Sequence, residues 1–217
     1  MTFYQYPDYM YHHGVKGMKW GVRKIKAGSN IGRVTANKQS RSKLTSKDRY
    51  FYTDKDRKLY EGDYAKRLNA PHAYSQNVRV KSDLYVASHK QAQNVLRRSM
   101  KDEKFRANAV DAVNLYRDKT PITRMSKNYN RVFTKGAKDI AKGKASKEAY
   151  QAINYMMVNK SEQSRKLNRQ YDKALIDAGY DALLDYNDMK LSGFNSKEPL
   201  VVINRGKLLV DGYKKLY

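Results

Sequence analysis

The stretch SEQSRKLNRQYDKALIDAGYDALLD, residues 161–185, decides the fold class of this chain. From Leu167 to Ala178 the apolar residues recur at helical spacing, Ser161 is placed to cap the helix, and Gly179 is placed to end it. The apolar residues that follow, within 180–185, predict a short strand. A long amphipathic helix that leads directly into a strand indicates a protein of mixed class.

The elements on either side of this stretch extend the same interpretation. Residue patterns predict further strands at 29–36, 49–53, 77–87, 199–204 and 208–210. Further helices are predicted at about 54–68, after Ser88, around 105–116 and at 146–157. Residues 122–145 are basic and weakly patterned, so no element is predicted there. Because strands come first, helices follow and strands return, the order predicts an α+β domain rather than alternating βαβ units.

The charge of the chain is strongly positive and unevenly distributed. Its 217 residues contain 45 Lys and Arg against 21 Asp and Glu, a net charge of +24. Residues 16–49 hold eleven of these cations and a single acid, Asp48. Such a balance favours polyanionic partners, and dense basic arms are typical of nucleic-acid binding. We therefore expect one basic domain at residues 28–217 behind a flexible basic segment at residues 1–27.

Several classes of chemistry lack support in the sequence. The chain contains no cysteine, which excludes disulfides, thiol catalysis and cysteine-based zinc sites. Adjacent His12 and His13 have no acidic partner nearby, and His72 and His89 are isolated, so no metal site is expected. No apolar run approaches the roughly 18 residues of a membrane span. No signal peptide, phosphate-binding loop, dinucleotide fingerprint or nucleophile elbow is present.

Residues 11–24, YHHGVKGMKWGVRK, are unlike any other part of the chain. Each of their three glycines weakens a helix by roughly 1 kcal/mol relative to alanine, which indicates a recognition or processing segment. The stretch closely resembles the His-His-Gly-Ile/Val-Lys-Gly-x-Lys-Trp-Gly-Val-Arg tag of structural and head-associated proteins of phages and prophages of Gram-positive bacteria. The resemblance implies a phage-encoded protein located in the virion, the bacterial host cytoplasm or both. Residues expected to contact a capsid protein or nucleic acid are Lys16, Lys19, Trp20, Arg23, Lys24 and Lys26.

Four short motifs in the rest of the chain occur in a recognisable order. They are Ile31-Gly-Arg-Val-Thr35, Tyr50-Phe-Tyr-Thr53 before a Tyr-rich helix, Gly179-Tyr-Asp-Ala-Leu-Leu-Asp185, and Glu198-Pro-Leu-Val-Val-Ile-Asn204. This order resembles that of ADP-ribosyltransferase-like domains of phages and toxins, over about residues 29–210. The resemblance implies a fold of two small split sheets with flanking helices and NAD held in a cleft between them.

The resemblance also assigns roles to individual residues. Arg33 would bind a phosphate or orient the ribose of NAD, because a guanidinium offers paired donors to phosphate oxygens. Thr53 would support the nicotinamide side, and Tyr60 or Tyr64 would stack on the ring. Glu198 would bind a ribose hydroxyl and stabilise the cationic sugar as nicotinamide leaves. Asp185 and Asp188 are further candidates for this catalytic acid.

The sequence departs from the family pattern at three positions. Phe51 stands where the family has a small serine, and Gly32 where it has an aromatic residue. The position of the family's late acid aligns with Glu198 or, if the register shifts by one residue, with Pro199. A shift of one residue also moves a side chain to the other face of a strand. These departures leave open a degenerate domain without catalysis.

Simpler roles are open for every candidate residue. Arg33 and Glu198 can be ordinary surface charges, and Thr53 a helix cap. Tyr60 and Tyr64 can be core residues. Asp185 and Asp188 can be turn formers.

Two other kinds of protein fit the composition. One is a non-enzymatic basic protein that binds DNA or the capsid interior. The other is a regulatory protein that acts in the infected cell.

Overall fold

A computed structural model describes residues 23–36, 44–119, 127–157, 161–185 and 196–217. Eight strands form one curled sheet, in the order β1-β5-β6-β7-β3-β2-β4-β8. The strands are β1 Arg23–Ile25, β2 Asn30–Thr35, β3 Tyr50–Thr53, β4 Tyr74–Val80, β5 Leu84–Ala87, β6 Ala182–Leu184, β7 Pro199–Val202 and β8 Leu208–Lys215. All neighbouring strands pair antiparallel except β5 and β6.

Helices occupy two stretches of the chain. A composite helix, α1, follows β3 and consists of a 3-10 turn Asp54–Asp56, an α-helical turn Arg57–Leu59, a π-helical turn Tyr60–Tyr64 and an α-helical turn Ala65–Arg67. Five α-helices stand between β5 and β6: α2 His89–Ser99, α3 Glu103–Lys119, α4 Lys127–Ala141, α5 Lys147–Met156 and α6 Glu162–Asp177. This arrangement confirms the predicted α+β class. The hydrogen bonds join all eight strands in one sheet, whereas the resemblance to ADP-ribosyltransferase-like domains implied two small ones.

Local signals predicted the ends of several helices correctly. Ser88, Ser146 and Ser161 each accept a backbone N–H at the start of α2, α5 and α6. Gly179 ends α6 with φ +82°, in the left-handed region that glycine reaches without strain. The basic stretch without a predicted element contains α4.

The sheet separates two apolar layers. On its inner, concave face all eight strands contribute to one cluster, which includes Ile31, Phe51 and Leu200. On its outer face, α2 to α6 cover the part of the sheet that contains Leu183 and Val201. The helix α1 covers the outer face of β2 and β3.

The strand β1 belongs to the segment that the sequence predicted as a tail. It pairs with β5 from Arg23 to Ile25, and Ile25 is buried in the inner-face cluster. The sheet thus begins five residues before the predicted domain boundary at residue 28. None of the helices in the described part of the chain is long and apolar enough to cross a membrane.

Candidate functional site

Three residues that the sequence singled out lie on the inner face of the sheet. Ile31 pairs with Thr53, and Ile31 belongs to the inner-face cluster, so Thr53 also faces inward. Arg33 lies two residues beyond Ile31 on β2 and therefore on the same face. The register of β3 with β7, continued by one residue, places Glu198 beside Thr53. Side chains of Arg33, Thr53 and Glu198 thus share one face of three adjacent strands.

The separation of these residues follows from strand geometry. Two strand spacings of about 4.8 Å and an offset of two residues of about 3.4 Å put the Cα atoms of Arg33 and Glu198 about 12 Å apart. Phe51 stands between them on β3 and is fully buried. Ile31 and Leu200 beside it are also fully buried. Apolar side chains therefore fill the middle of the inner face, and the polar groups lie at its rim.

The carboxylate of Glu198 is the centre of the rim site. The Thr53 hydroxyl donates to its Oε2 at 2.7 Å, and Lys55 Nζ donates to its Oε1 at 2.8 Å. The guanidinium of Arg23 forms an ion pair with the same carboxylate. Burial favours the neutral acid, but Lys55, Thr53 and Arg23 outweigh it and hold the pKa of Glu198 below its usual value of 4.5. Glu198 is therefore a carboxylate at neutral pH.

The sequence left Thr53 as either a site residue or a helix cap, and the structure distinguishes the two. It occupies the N-cap position of the 3-10 turn, yet its side chain makes no capping hydrogen bond. The hydroxyl donates instead to Glu198, 145 residues later in the chain. Thr53 is therefore part of the rim site rather than a helix cap.

Arg33 belongs to a second charged group on the same face. Its guanidinium lies 2.6 Å from Asp48, and both side chains are about nine-tenths buried. Asp48 also accepts the backbone N–H of Thr45 at 2.7 Å and its hydroxyl at 2.9 Å. Burial of Asp48 opposes its ionisation, but the Thr45 N–H and the Arg33 charge hold the pKa of Asp48 below 3.8. Asp48 thus fixes the guanidinium of Arg33 over the inner face.

The two tyrosines expected to stack on nicotinamide lie on the other face of the sheet. Tyr60 is fully buried, its ring stacks on Tyr52 at 4.9 Å, and its hydroxyl is 2.9 Å from that of Tyr50. Tyr64 stacks on Tyr50. Both rings therefore pack between α1 and the outer face of β3, which fits the core role that the sequence also allowed. They are not brought together with Glu198.

The other acidic candidates do not join Glu198 either. Asp185 follows Leu184, which packs on the inner-face cluster, so the alternation of the strand turns Asp185 towards the helices. Burial is the main cause of the raised pKa of Tyr155, and the charge of Asp185 contributes to it. Asp185 therefore lies near the Tyr155 ring of α5. Asp188 lies outside the described residues.

The predicted partner-binding segment is described only at its end. Lys24 forms an ion pair with Asp83 at 2.8 Å, and Lys26 is exposed. The remaining members, Lys16, Lys19 and Trp20, lie outside the described residues. Arg23, which the sequence also predicted to contact a partner, forms an ion pair with Glu198 within the chain.

The structure adds a residue to the site that the sequence did not suggest. Asp56 is 2% exposed and accepts the backbone N–H groups of Lys197 and Glu198. A local pattern could not have revealed these contacts, because Asp56 and Glu198 stand 142 residues apart. Among the described residues, no three His, Asp or Glu side chains gather in a group that could hold a metal ion.

Comparison with known proteins reaches only the N-terminal segment. Residues 4–27 match DUF7211, a family of unknown function. The matched segment includes β1 and therefore Arg23, the ion-pair partner of Glu198. No curated protein and no solved structure matches the chain.

Proposed function

We propose that this protein is an ADP-ribosyltransferase that cleaves NAD at the rim of the inner face. The hydrogen bond from Thr53 to Glu198, on the same sheet face as Arg33, is the observation that supports it most. These three residues come from three of the four motifs that resemble the transferase family. Their order along the chain and their common face are both what such a site requires.

The chemistry assigned to Glu198 is electrostatic. When the C1′–N bond of NAD breaks, nicotinamide leaves with the bonding electrons, and the ribose acquires positive charge. A carboxylate that stays ionised stabilises this charge and accepts a hydrogen bond from a ribose hydroxyl. Thr53 would hold the carboxylate in position, and the nucleophile of a target macromolecule would then bond to C1′ and lose its proton to solvent.

A site for NAD must also bind the diphosphate of NAD, and the cations around the rim would do so. Arg23 and Lys55 retain about 34% and 68% of their side-chain exposure, so both can turn from Glu198 towards a ligand. Arg33 lies on the same face, where its guanidinium is about nine-tenths buried and paired with Asp48, so it would bind a phosphate only after parting from that carboxylate. NAD would lie across the rim, because Phe51 and its apolar neighbours fill the interior.

The enzyme proposal is tested by nicotinamide release and by transfer of label from NAD to proteins or nucleic acid of a host lysate. We expect Glu198→Gln to lower both by about 100- to 1,000-fold, since the substitution keeps the shape and removes the charge. Thr53→Val is expected to have a smaller effect in the same direction. Glu162→Gln, on the exposed face of α6, is the matched control. Equal rates in wild type and Glu198→Gln would refute the proposal.

A second candidate function is that of a non-catalytic basic protein that binds DNA or an acidic capsid lining. The net charge of +24 and the filled interior of the sheet favour it. Its test is DNA binding as a function of salt, where each neutralised phosphate adds about −0.9 to the slope of log K against log salt. Recovery of the chain in purified phage particles would also support it. A shallow slope together with NAD cleavage would exclude it as the principal role.

A further inference from the structure

Asp56 links two parts of the chain that are far apart in sequence. It ends the 3-10 turn that follows β3 and is almost completely buried. Its two oxygens each lie 2.8 Å from the backbone nitrogen of Lys197, and Oδ2 lies 2.6 Å from that of Glu198. These N–H groups immediately precede β7. The carboxylate therefore binds the main chain at the residue that carries the candidate catalytic acid.

The position of this contact determines which way Glu198 points. Side chains alternate between faces along a strand, so a slip of one residue before β7 would send Glu198 to the outer face. Glu198 would then lose the hydroxyl of Thr53 and the guanidinium of Arg23. Asp56 holds two consecutive N–H groups at once, and a slip that put Pro199 in place of Glu198 would lose one of these bonds, because proline has no N–H.

An aspartate side chain suits this place. It accepts hydrogen bonds at both oxygens, and charge-assisted hydrogen bonds to backbone N–H groups are short and strong. Asparagine has nearly the same shape, but its amide NH₂ would face a backbone N–H group. Asp56→Asn therefore loosens residues 197–198 while leaving the volume of the site unchanged.

We propose that Asp56 is the positioning residue of the rim site, because it sets the main-chain register that turns the Glu198 carboxylate towards Thr53. This inference rests on the proposed transferase function for its consequence in catalysis. Asp56 is almost completely buried against the main chain of residues 197–198, so it would act on the reaction only through Glu198. Its substitution should then lower kcat for NAD cleavage much more than it changes KM.

The first experiment measures kinetics in a double-mutant cycle. We expect Asp56→Asn to lower kcat by about 100-fold with a change in KM of less than about threefold. In the Glu198→Gln background the same substitution should have almost no further effect, since residues that act as a unit are not additive. An equal fold-loss in both backgrounds would overturn the proposal.

The second experiment follows the Glu198 carboxyl directly by carbon-detected NMR titration of the full chain. In the wild type its pKa is below the usual value, and in Asp56→Asn we expect it to rise as the contacts with Lys55, Thr53 and Arg23 loosen. The matched control is Asp181→Asn, which removes another buried carboxylate that accepts a backbone N–H, from Tyr85 at 3.0 Å. The control should leave the titration of Glu198 unchanged.

The outcomes separate the two proposals. If the titration of Glu198 shifts in Asp56→Asn but the wild type cleaves no NAD, the transferase function fails and the positioning role survives. If Asp56→Asn lowers stability as Asp181→Asn does and Glu198 titrates as in the wild type, Asp56 is merely structural. If Asp56→Asn does not fold, hydrogen exchange of the wild type decides. Slow exchange of the Lys197 and Glu198 amides supports the positioning role of Asp56. Exchange at the rate of an open loop overturns it.

Discussion

Replacing Gly32 by alanine tests the packing of the outer face beneath α1. A Cβ atom at this position would lie 2.5 Å from the hydroxyl oxygen of Tyr52 and closer still to two carbons of its ring. The ring has no free space, because it is fully buried, stacks on Tyr60 at 4.9 Å and bonds through its hydroxyl to Ser75 at 2.8 Å. Tyr52 thus fills the space that the aromatic residue of the family pattern would take at position 32.

The size of the effect follows from these contacts. Overpacking of a core costs about 1–3 kcal/mol, and a ring held on several sides is at the upper end of that range. Alanine recovers about 0.5–1 kcal/mol over glycine in a strand, which leaves a net loss of about 2 kcal/mol. With a urea m-value of about 3 kcal/mol/M, the midpoint of unfolding should fall by about 0.7 M.

The assay is urea unfolding followed by circular dichroism, in wild type, Gly32→Ala, Tyr52→Leu and the double variant. With the ring removed, Gly32→Ala should cost nothing or stabilise slightly, so the coupling energy should be about 2 kcal/mol. A cost of Gly32→Ala that agrees within about 0.5 kcal/mol in the two backgrounds would refute the reasoning.

Four further predictions follow from the packing and the charges. Gly136→Ala should lower stability by about 1–3 kcal/mol, because its Cβ would lie 2.9 Å from the backbone oxygen of Glu148. A Cβ atom at Gly62 would have no atom within 4 Å, so Gly62→Ala should raise stability by up to about 1 kcal/mol, the advantage of alanine over glycine in a helix. Melting temperatures measure both effects, and a higher melting temperature for Gly136→Ala than for Gly62→Ala would contradict both predictions. Burial opposes the ionisation of Asp48, but hydrogen bonds from Thr45 and the guanidinium of Arg33 hold its pKa below 3.8. These contacts therefore stabilise the folded protein above pH 3.8, and that stabilisation is lost as the pH falls. Asp48→Asn should therefore be less stable than wild type at pH 7 and lose less stability on acidification, as urea unfolding at each pH would show. Burial raises the pKa of Tyr52 to about 12, so its stabilisation is present below pH 10 and is lost as pH rises towards 12, and Tyr52→Phe should lose less stability than wild type over that interval.

Local patterns in the sequence predicted most of the helices and strands. They missed β1 and merged β4 and β5 into one strand, and they missed α4 for a reason that can be traced to packing. In α4, Tyr129, Phe133 and Ile140 fall on one face, so a helical period was present. Gly136 within the period disfavours a helix by about 1 kcal/mol and obscured the signal. The structure shows why glycine is there, since a side chain would collide with the backbone of α5. Close packing of two helices selected a residue that local propensity opposes.

The candidate site could be predicted only in part. The sequence singled out Arg33, Thr53 and Glu198, and the structure places them on one face. It also singled out Tyr60 and Tyr64 as ring partners of nicotinamide, and both lie behind the sheet. Residue type and order suggested the chemistry, whereas the face of each side chain depends on strand register and on the helix that covers the strand.

The sequence by itself determined the mixed class, the capped helix ends and the excess of positive charge, because these depend on residues that are neighbours in the chain or on simple counts. Only the tertiary structure decided that Arg23, at the end of the N-terminal segment, meets Glu198, and that Asp56 binds the main chain of residue 198. These groups are more than a hundred residues apart, so no local pattern records their contact. Their contact depends on how the eight strands pair. A shift of one residue in that pairing would move the Glu198 side chain to the other face of the sheet.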